Sequence, residues 1–250
     1  TYIKGSTDKI KEKRDDLLSL FKDNAGVVKF DDDYAYCVKV ETHNSPSALD
    51  PYGGAMTGIV GVNRDIIGTG LGAYPIFNTD VFCFGSPCTE GENVPEGLMH
   101  PRRIFRGVHR GVKDGGNESG IPTVNGSITF DPSFLGKPLV FCGTGGLMPL
   151  QVNGKESFEK YVQAGDQVVM CGGFIGKDGI HGATFSSVQL TEASPTSAVQ
   201  IGDPITQKKM LDFLMEARDA GMYSGLTDNG AGGLASSIGE MAQFTNGARL

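Results

Sequence analysis

VKVETHNSPSALDPYGGAMTGIVGVNRDIIG, residues 38–68, is the stretch from which the fold can be read. Its first residues belong to the period-two alternation of "YAYCVKVETH" (34–43), the pattern of a β-strand. On such a strand Lys39, Glu41 and His43 project from one face, and Val38 and Val40 from the other. Pro46, Pro51, Gly53 and Gly54 then break the chain, and residues 53–68 take up helical spacing. Ile59, Val62 and Ile66 form the apolar stripe of that helix. Thr57, Gly61, Arg64, Asp65 and Gly68 fall on the opposite side, a small polar face better suited to a ligand wall than to a core.

Working outward, residues 73–85 and 138–149 read as further strands and 101–114 as a basic amphipathic helix on Ile104, Phe105, Val108 and Val112. Residues 6–22 place Ile10, Leu17, Leu18 and Phe21 at helical spacing among mixed charges, which predicts an amphipathic helix. A boundary is expected near residue 150, giving a first domain over 1–150 and a second over 151–250. In the second, "QVVMCGG" reads as a strand running into the glycine-rich loop "FIGKDGIHGATFSS". A helix with Ile205, Leu211, Leu214 and Met215 inward follows Pro204, and "LTDNGAGGLASSIGEMA" reads as strand end, glycine turn and helix. No repeat of 20 to 50 residues is visible. The fold class is α/β (α+β) with two domains. A start at Thr1 and a stop straight after a helix-like segment suggest a piece of something longer.

The 250 residues carry a net charge of −7 and no long basic block, which argues against a sequence-independent nucleic-acid binder. No apolar run approaches the roughly 18 to 20 residues of a membrane span, and no charged-then-apolar leader opens the chain. The five cysteines lack paired C-x-x-C spacing, so zinc is not expected and reduced cytosolic thiols are the simplest reading. The 37 glycines fit a backbone that turns tightly or approaches ligands closely at many places.

Gly230, Gly232 and Ala235 satisfy G-x-G-x-x-A, but no acidic residue follows about 20 positions on, so a dinucleotide site is set aside. No P-loop pattern occurs either. Glycine-rich turns at Gly53–Gly54, 172–182 and 230–233 could still present backbone N–H groups to phosphate. Glu41, Asp65 and Asp228 each sit beside a glycine or proline turn, where a few carboxylates suffice for Mg²⁺ when phosphate oxygens and waters complete its shell. Asp80 is a further acid left without a role. His100 and His109 read as surface residues, and His181 lies in the glycine loop. His43, sharing a face with Lys39 and Glu41, is the histidine placed to act as a base.

"KVETHNSPSALDPYGGAMTGIVGVNRDI" resembles the signature of the synthetase subunit of phosphoribosylformylglycinamidine synthase, of the AIR synthase-like fold. "GKDGIHGATFSS", "VQIGDPITQKKMLD" and "TDNGAGGLASSIGEMA" are similar to that family's later motifs, in the same order, from about residue 24 onward. The resemblance implies an N-type mixed-sheet domain and an incomplete C-type α/β domain. It implies an ATP-dependent ligase of purine biosynthesis that converts formylglycinamide ribonucleotide (FGAR) to its amidine. In that family ATP phosphorylates the amide oxygen, and ammonia from a glutaminase displaces phosphate. Carried over by motif, Lys39 contacts ATP, Glu41 binds one Mg²⁺, and Asp65 and Asp228 bind another. Thr42, His43, Asn44 and Ser45, with Arg64 and Gln200, line the ribonucleotide site, and His43 is the proton acceptor. Ser45 stands where the family commonly has a second histidine, and Asn125, Gly126 and Ser127 replace a glycine-glycine-glutamate ending. A cytoplasmic setting, self-association and an inactive isolated piece are expected. The rival readings are an enzyme like aminoimidazole ribonucleotide synthetase and a non-catalytic half that holds nucleotide structurally.

Overall fold

The computed structural model describes residues 2–177, 179, 180, 182 and 199–247. The strand and helix read from residues 38–68 are both present, as β3 (Tyr34–Thr42) and α3 (Pro51–Ile67), with a short helix α2 (Asn44–Leu49) between them. Pro51 occupies the first turn of α3, where its missing N–H costs nothing, and the Asp50 carboxylate accepts from the Gly53 amide at 3.1 Å.

The chain opens with α1 (Tyr2–Lys11), β1 (Leu17–Ser19) and β2 (Gly26–Lys29). After α3 come β4 (Tyr74–Phe84), α4 (Pro101–Ser119), β5 (Thr123–Phe130) and β6 (Leu139–Pro149). The hairpin of β7 (Gln151–Val152) and β8 (Lys155–Glu156) follows, then α5 (Pro204–Asp219) and α6 (Gly233–Ala242). Six strands form one sheet in the order β1-β2-β3-β6-β4-β5, antiparallel throughout except for the parallel pair β4 and β5. Helix α4 supplies the crossover that a parallel pair needs.

One face of the sheet is covered by α3 and α4. Ile59, Val62 and Ile66 of α3 are fully buried, as their spacing predicts, and pack with Phe82, Phe84, Val108 and Val140 or with Val27, Cys37 and Met148. A bulge in β4 between Pro75 and Phe77 shifts the register, so that Asn78 and Asp80 turn inward where strict alternation would have turned them out. Asn78 donates to Asn63 Oδ1 (3.1 Å) and to Thr144 Oγ1 (2.7 Å), locking α3 onto β4 and β6 through a buried amide network. Among the described residues nothing covers the other face, where Tyr36, Val38, Val40 and Tyr74 are exposed. Ile128 and Phe130 lie on the helix side, in register with Phe82 and Phe84, with Phe130 against Phe105.

Several expectations fail outside the central strand–helix unit. The helix expected over 6–22 stops at Lys11, because Leu17 and Ser19 pair with β2 and Leu18 packs on the core beside Val27 and Ile66. Tertiary burial outweighs helical spacing there. No strand forms at 167–173: among the described residues no strand of the second half lies alongside, so its backbone has no ladder partner and Val168, Val169 and Met170 stay exposed. Residues 226–228 likewise form no strand, although the turn and helix that follow do form. In α5, Leu211, Leu214 and Met215 are buried against Ile67 of α3, whereas Ile205, in the first turn beside the Asp203 cap, is half exposed.

The halves are also joined by polar contacts. Lys160 and Asp23 form a buried ion pair at 2.5 Å, and the other Asp23 oxygen accepts from the Gly70 amide at 2.7 Å. The Tyr223 hydroxyl donates to the Leu71 carbonyl at 2.8 Å. These bonds hold residues 223–228 beside the C-terminal end of α3.

Candidate active site

Lys39 and Glu41 leave the same side of β3 as the buried Ala35 and Cys37, and so point toward α3. The Lys39 ammonium lies 3.2 Å from Glu41 Oε1 and 3.5 Å from Asp65 Oδ2, and donates to the Asn24 carbonyl at 3.1 Å. Asp65 comes from the last turns of α3 and is nine-tenths buried. Beside it, Arg64 Nε sits 3.5 Å from Asp228 Oδ2, and Asn24 Nδ2 donates to Asp228 Oδ1 at 3.3 Å. Three acids and two cations far apart in sequence are thus gathered at one end of α3, with the β1–β2 loop as their common brace.

Burial, together with the Asp228 carboxylate, pushes Asp65 up to about 7, against the pull of Lys39. Burial also raises Asp228, partly offset by Arg64. Burial pulls the Lys39 ammonium down, but Asp65 and Glu41 outweigh it and the net direction is up. These acids crowd together and draw a cation among them. Among the described residues no three His, Cys, Asp or Glu side chains converge as a closed metal cage. Paired carboxylates with an ammonium between them suit Mg²⁺ held jointly with phosphate oxygens and water, so the residues fit the ion.

At the other end of the same surface stands His43. It precedes α2 directly, and its Nδ1 meets the Gly54 carbonyl of α3. A carbonyl only accepts, so Nδ1 carries the proton and Nε2 keeps its lone pair. Burial lowers the imidazole below its ordinary value, which keeps it neutral near pH 7. The contact depends on Gly54, since a Cβ there would stand 2.5 Å from the Pro46 carbonyl carbon and push α3 away from α2.

Between these ends runs the small polar face of α3 that was expected to line a ligand. Thr57 Oγ1 donates to the Gln200 carbonyl at 2.7 Å, and Gly61 faces open space, with nothing within 4 Å of a Cβ placed there. Thr42 is exposed at the end of β3. Asn44 Oδ1 accepts from the Val140 amide at 2.8 Å, so half of that side chain ties α2 to β6. Ser45 is fully buried.

Other expectations change. Gly53 and Gly54 lie inside the first turn of α3 and their amides already serve Asp50, which removes them as a phosphate cradle. Gly232 and Gly233 do form a left-handed turn ahead of α6. His100 is the cap of α4: Nδ1 accepts from the Arg102 amide and Nε2 faces the Thr89 carbonyl at 2.9 Å. His109 is exposed, and His181 lies outside the described residues. Asn24 was not read as a site residue, because an asparagine in a loop carries no periodic signal. Asp80 is almost fully buried, and neither of its oxygens reaches a hydrogen-bond partner, although Cys142 and Gly143 are its nearest polar neighbours. Burial pushes it up to about 7.

Comparison with known proteins gives the family. Residues 22–148 match the family model "AIR synthase related protein, N-terminal domain", and residues 163–250 match its C-terminal counterpart. Phosphoribosylformylglycinamidine synthase subunit PurL of Thermoplasma volcanium is 42% identical over 231 residues, which is 92% of this chain and 29% of that protein. PurL of Picrophilus torridus is 39% identical over 247 residues, 98% of this chain and 32% of that protein. The chain therefore spans about a third of the length of these curated relatives. Among solved structures, Thermotoga maritima PurL complexed with FGAR superposes with a TM-score of 0.71 at 30% identity, covering 97% of this chain and 36% of that one. The same protein complexed with ATP gives a TM-score of 0.64 at 26% identity, with 98% and 38% covered. Similar to PurL over nearly all of its length, and matched by the models of both domains, the chain belongs to the AIR synthase related family.

Proposed function

We propose that this chain forms part of a synthetase that uses ATP to convert FGAR to formylglycinamidine ribonucleotide with glutamine-derived ammonia, a step of purine biosynthesis. The observation that carries the reading is the convergence of Lys39, Glu41, Asp65 and Asp228 at one end of α3, with a neutral histidine, His43, at the other. The PurL relatives, solved with FGAR and with ATP, supply the substrates. On this reading the first domain covers residues 1–150 and the second 151–250.

Lys39 contacts ATP phosphate, with Glu41 toward one Mg²⁺ and Asp65 and Asp228 toward another. When bound, Mg²⁺ supplies neutralisation of charge on the phosphate oxygens, the main demand of phosphoryl transfer. Thr42, His43, Asn44 and Ser45, with Arg64 and Gln200, position the ribonucleotide. For Ser45 this requires a shift of α2, since its side chain is enclosed. The γ-phosphoryl group passes to the amide oxygen and ADP leaves. Ammonia then adds at the same carbon and the C–O bond to phosphate breaks, while the Nε2 lone pair of His43 takes the proton that nitrogen must lose.

A glutaminase, as a separate subunit or a fused domain, delivers the ammonia. A cytosolic setting suits the five free cysteines, and among the described residues no helix is long and apolar enough to cross a membrane. Self-association is part of the reading, because among the described residues neither the apolar sheet face of Tyr36, Val38 and Val40 nor the exposed edge strand β5 has a partner. Sedimentation showing a monomer at all accessible concentrations would remove that part alone. The enzymatic reading is tested by ADP formation from Mg·ATP and ammonium in the protein that carries this chain. Stimulation by FGAR with appearance of the amidine supports it. Stimulation by an aminoimidazole-pathway substrate instead would overturn the substrate assignment.

A further inference from the structure

The first half of α4 carries a concentration of positive charge that the active site does not use. Arg102, Arg103, Arg106 and Arg110, with His100, Gly107 and Tyr52, line a cleft of about 550 Å³. That is within the roughly 300–1,000 Å³ usual for small-molecule sites. Arg102, Arg106 and Arg110 follow one another at i, i+4 and i+8, a spacing at which like charges oppose helix formation. The chain as a whole is acidic, so this face inverts the local sign.

Few of these charges are matched internally. Arg110 lies 3.5 Å from Asp114, which also serves Lys113 and the Tyr52 hydroxyl, and its guanidinium stands 5.0 Å from the Tyr52 ring centre. Arg102 Nε donates to the Pro87 carbonyl at 2.8 Å. Among the described residues neither Arg103 nor Arg106 has an ion-pair partner. The concavity itself is built into the packing of α4 on α3. A Cβ at Gly107 would stand 2.5 Å from Pro51, and one at Gly111 only 2.3 Å from the Tyr52 carbonyl oxygen. The helices therefore touch at Pro51–Tyr52, and the arginines rise around Tyr52 as a rim.

We propose that this cleft is a second anion site that takes a small phosphate-bearing molecule, with Arg103 and Arg106 as its principal ligands and Arg110 on Tyr52 as its wall. Planar guanidinium forks match phosphate oxygens in pairs. The cleft is shallow and open to solvent, and the i, i+3 spacing of Arg103 and Arg106 brings the two guanidinium groups within reach of one compact anion. Tyr52 and Arg64 lie twelve residues apart on α3, about 18 Å along the helix axis, which separates the cleft from the Lys39–Asp65–Asp228 cluster. The inference is independent of the ligase reading.

The test uses the full chain, metal-free, at about 0.15 M salt to screen non-specific attraction. Inorganic pyrophosphate and AMP are titrated by calorimetry, and phenylglyoxal labelling of individual arginines is read by peptide mass spectrometry. Saturable binding should occur with protection of Arg103 and Arg106, and the double variant R103Q/R106Q should lose at least about tenfold in affinity for that site. The control K9Q/K11Q, with the same change of charge on α1, should bind as wild type. Preference for pyrophosphate assigns an inorganic polyphosphate group, and preference for AMP a nucleotide phosphate. Unchanged labelling of Arg103 and Arg106 under saturating ligand overturns the proposal, as does equal loss in both double variants. Protection by poly-glutamate alone also overturns it, in favour of an acidic protein partner.

Discussion

The ammonium of Lys39, on β3, lies 3.5 Å from the carboxylate of Asp65, on α3, and only 26 positions of sequence separate strand end from helix end. The strand–turn–helix of residues 38–68 folds back so that the C-terminal end of α3 meets Lys39 on β3 and its N-terminal end meets His43 just beyond the strand. If Lys39 contacts ATP while balancing Asp65 and Glu41, Lys39→Met removes a charge-assisted bond worth roughly 1.5–3 kcal/mol. ATP affinity, measured by calorimetry, should fall about tenfold or more. Affinity unchanged within about twofold would take Lys39 out of the nucleotide site.

His43 is expected to act on protons rather than to hold the fold. His43→Gln should lower single-turnover amidine formation by about 10²–10⁴-fold, while circular dichroism and ATP binding stay near wild type. A variant that turns over normally would leave the imidazole with only its structural contact to Gly54 and favour a nucleotide-holding half without catalysis.

How far the sequence alone reached follows from what kind of signal each residue gives. Ile59, Val62 and Ile66, and the alternation from Tyr34 to Thr42, are periodic, and a period forces a face. Lys39, Glu41 and Asp65 were legible because they ride on those two periods. Asn24 was not, since its role comes from a loop that folds across to Asp228, 204 residues away. The inward turn of Asp80 depends on a bulge, which period-two counting skips. At Leu17 and Leu18 helical spacing competes with a three-residue strand, and Leu17 pairs with Val28, a partner that no local period marks. The 167–173 segment has strand composition but no strand to pair with among the described residues.

Asp80 gives the pH dependence. Its carboxyl is held near 7 in the folded chain against an ordinary value of 3.8, so the folded state binds more protons between those limits. Its contribution to stability is therefore fully present below pH 4 and is lost as pH rises toward and through 7. A three-unit displacement corresponds to at most about 4 kcal/mol. Asp65, also held near 7, contributes in the same window, so Asp80→Asn should remove only its own part of the slope between pH 4 and 8 and raise the urea midpoint at pH 8. A variant less stable than wild type at pH 8 would mean that the ionised carboxylate has a favourable partner.

The Lys160–Asp23 pair supports the junction of the halves. Lys160→Met leaves Asp23 buried with only amide donors, and removing one member of a buried pair typically costs about 3–5 kcal/mol. Because the Gly70 and Asn24 amides remain bonded to Asp23, the lower end of that range is expected in urea denaturation. A loss below about 1 kcal/mol would show that water reaches the pair.

The most direct measurement follows the oxygen. FGAR labelled with ¹⁸O in its amide group is turned over with Mg·ATP and ammonium by the protein that carries this chain, and the released phosphate is analysed by mass spectrometry. Phosphorylation of the amide oxygen predicts that each amidine formed delivers one ¹⁸O to inorganic phosphate. Phosphate free of ¹⁸O, with the label retained in the ribonucleotide, would mean that ATP is hydrolysed without activating the amide and would contradict the account.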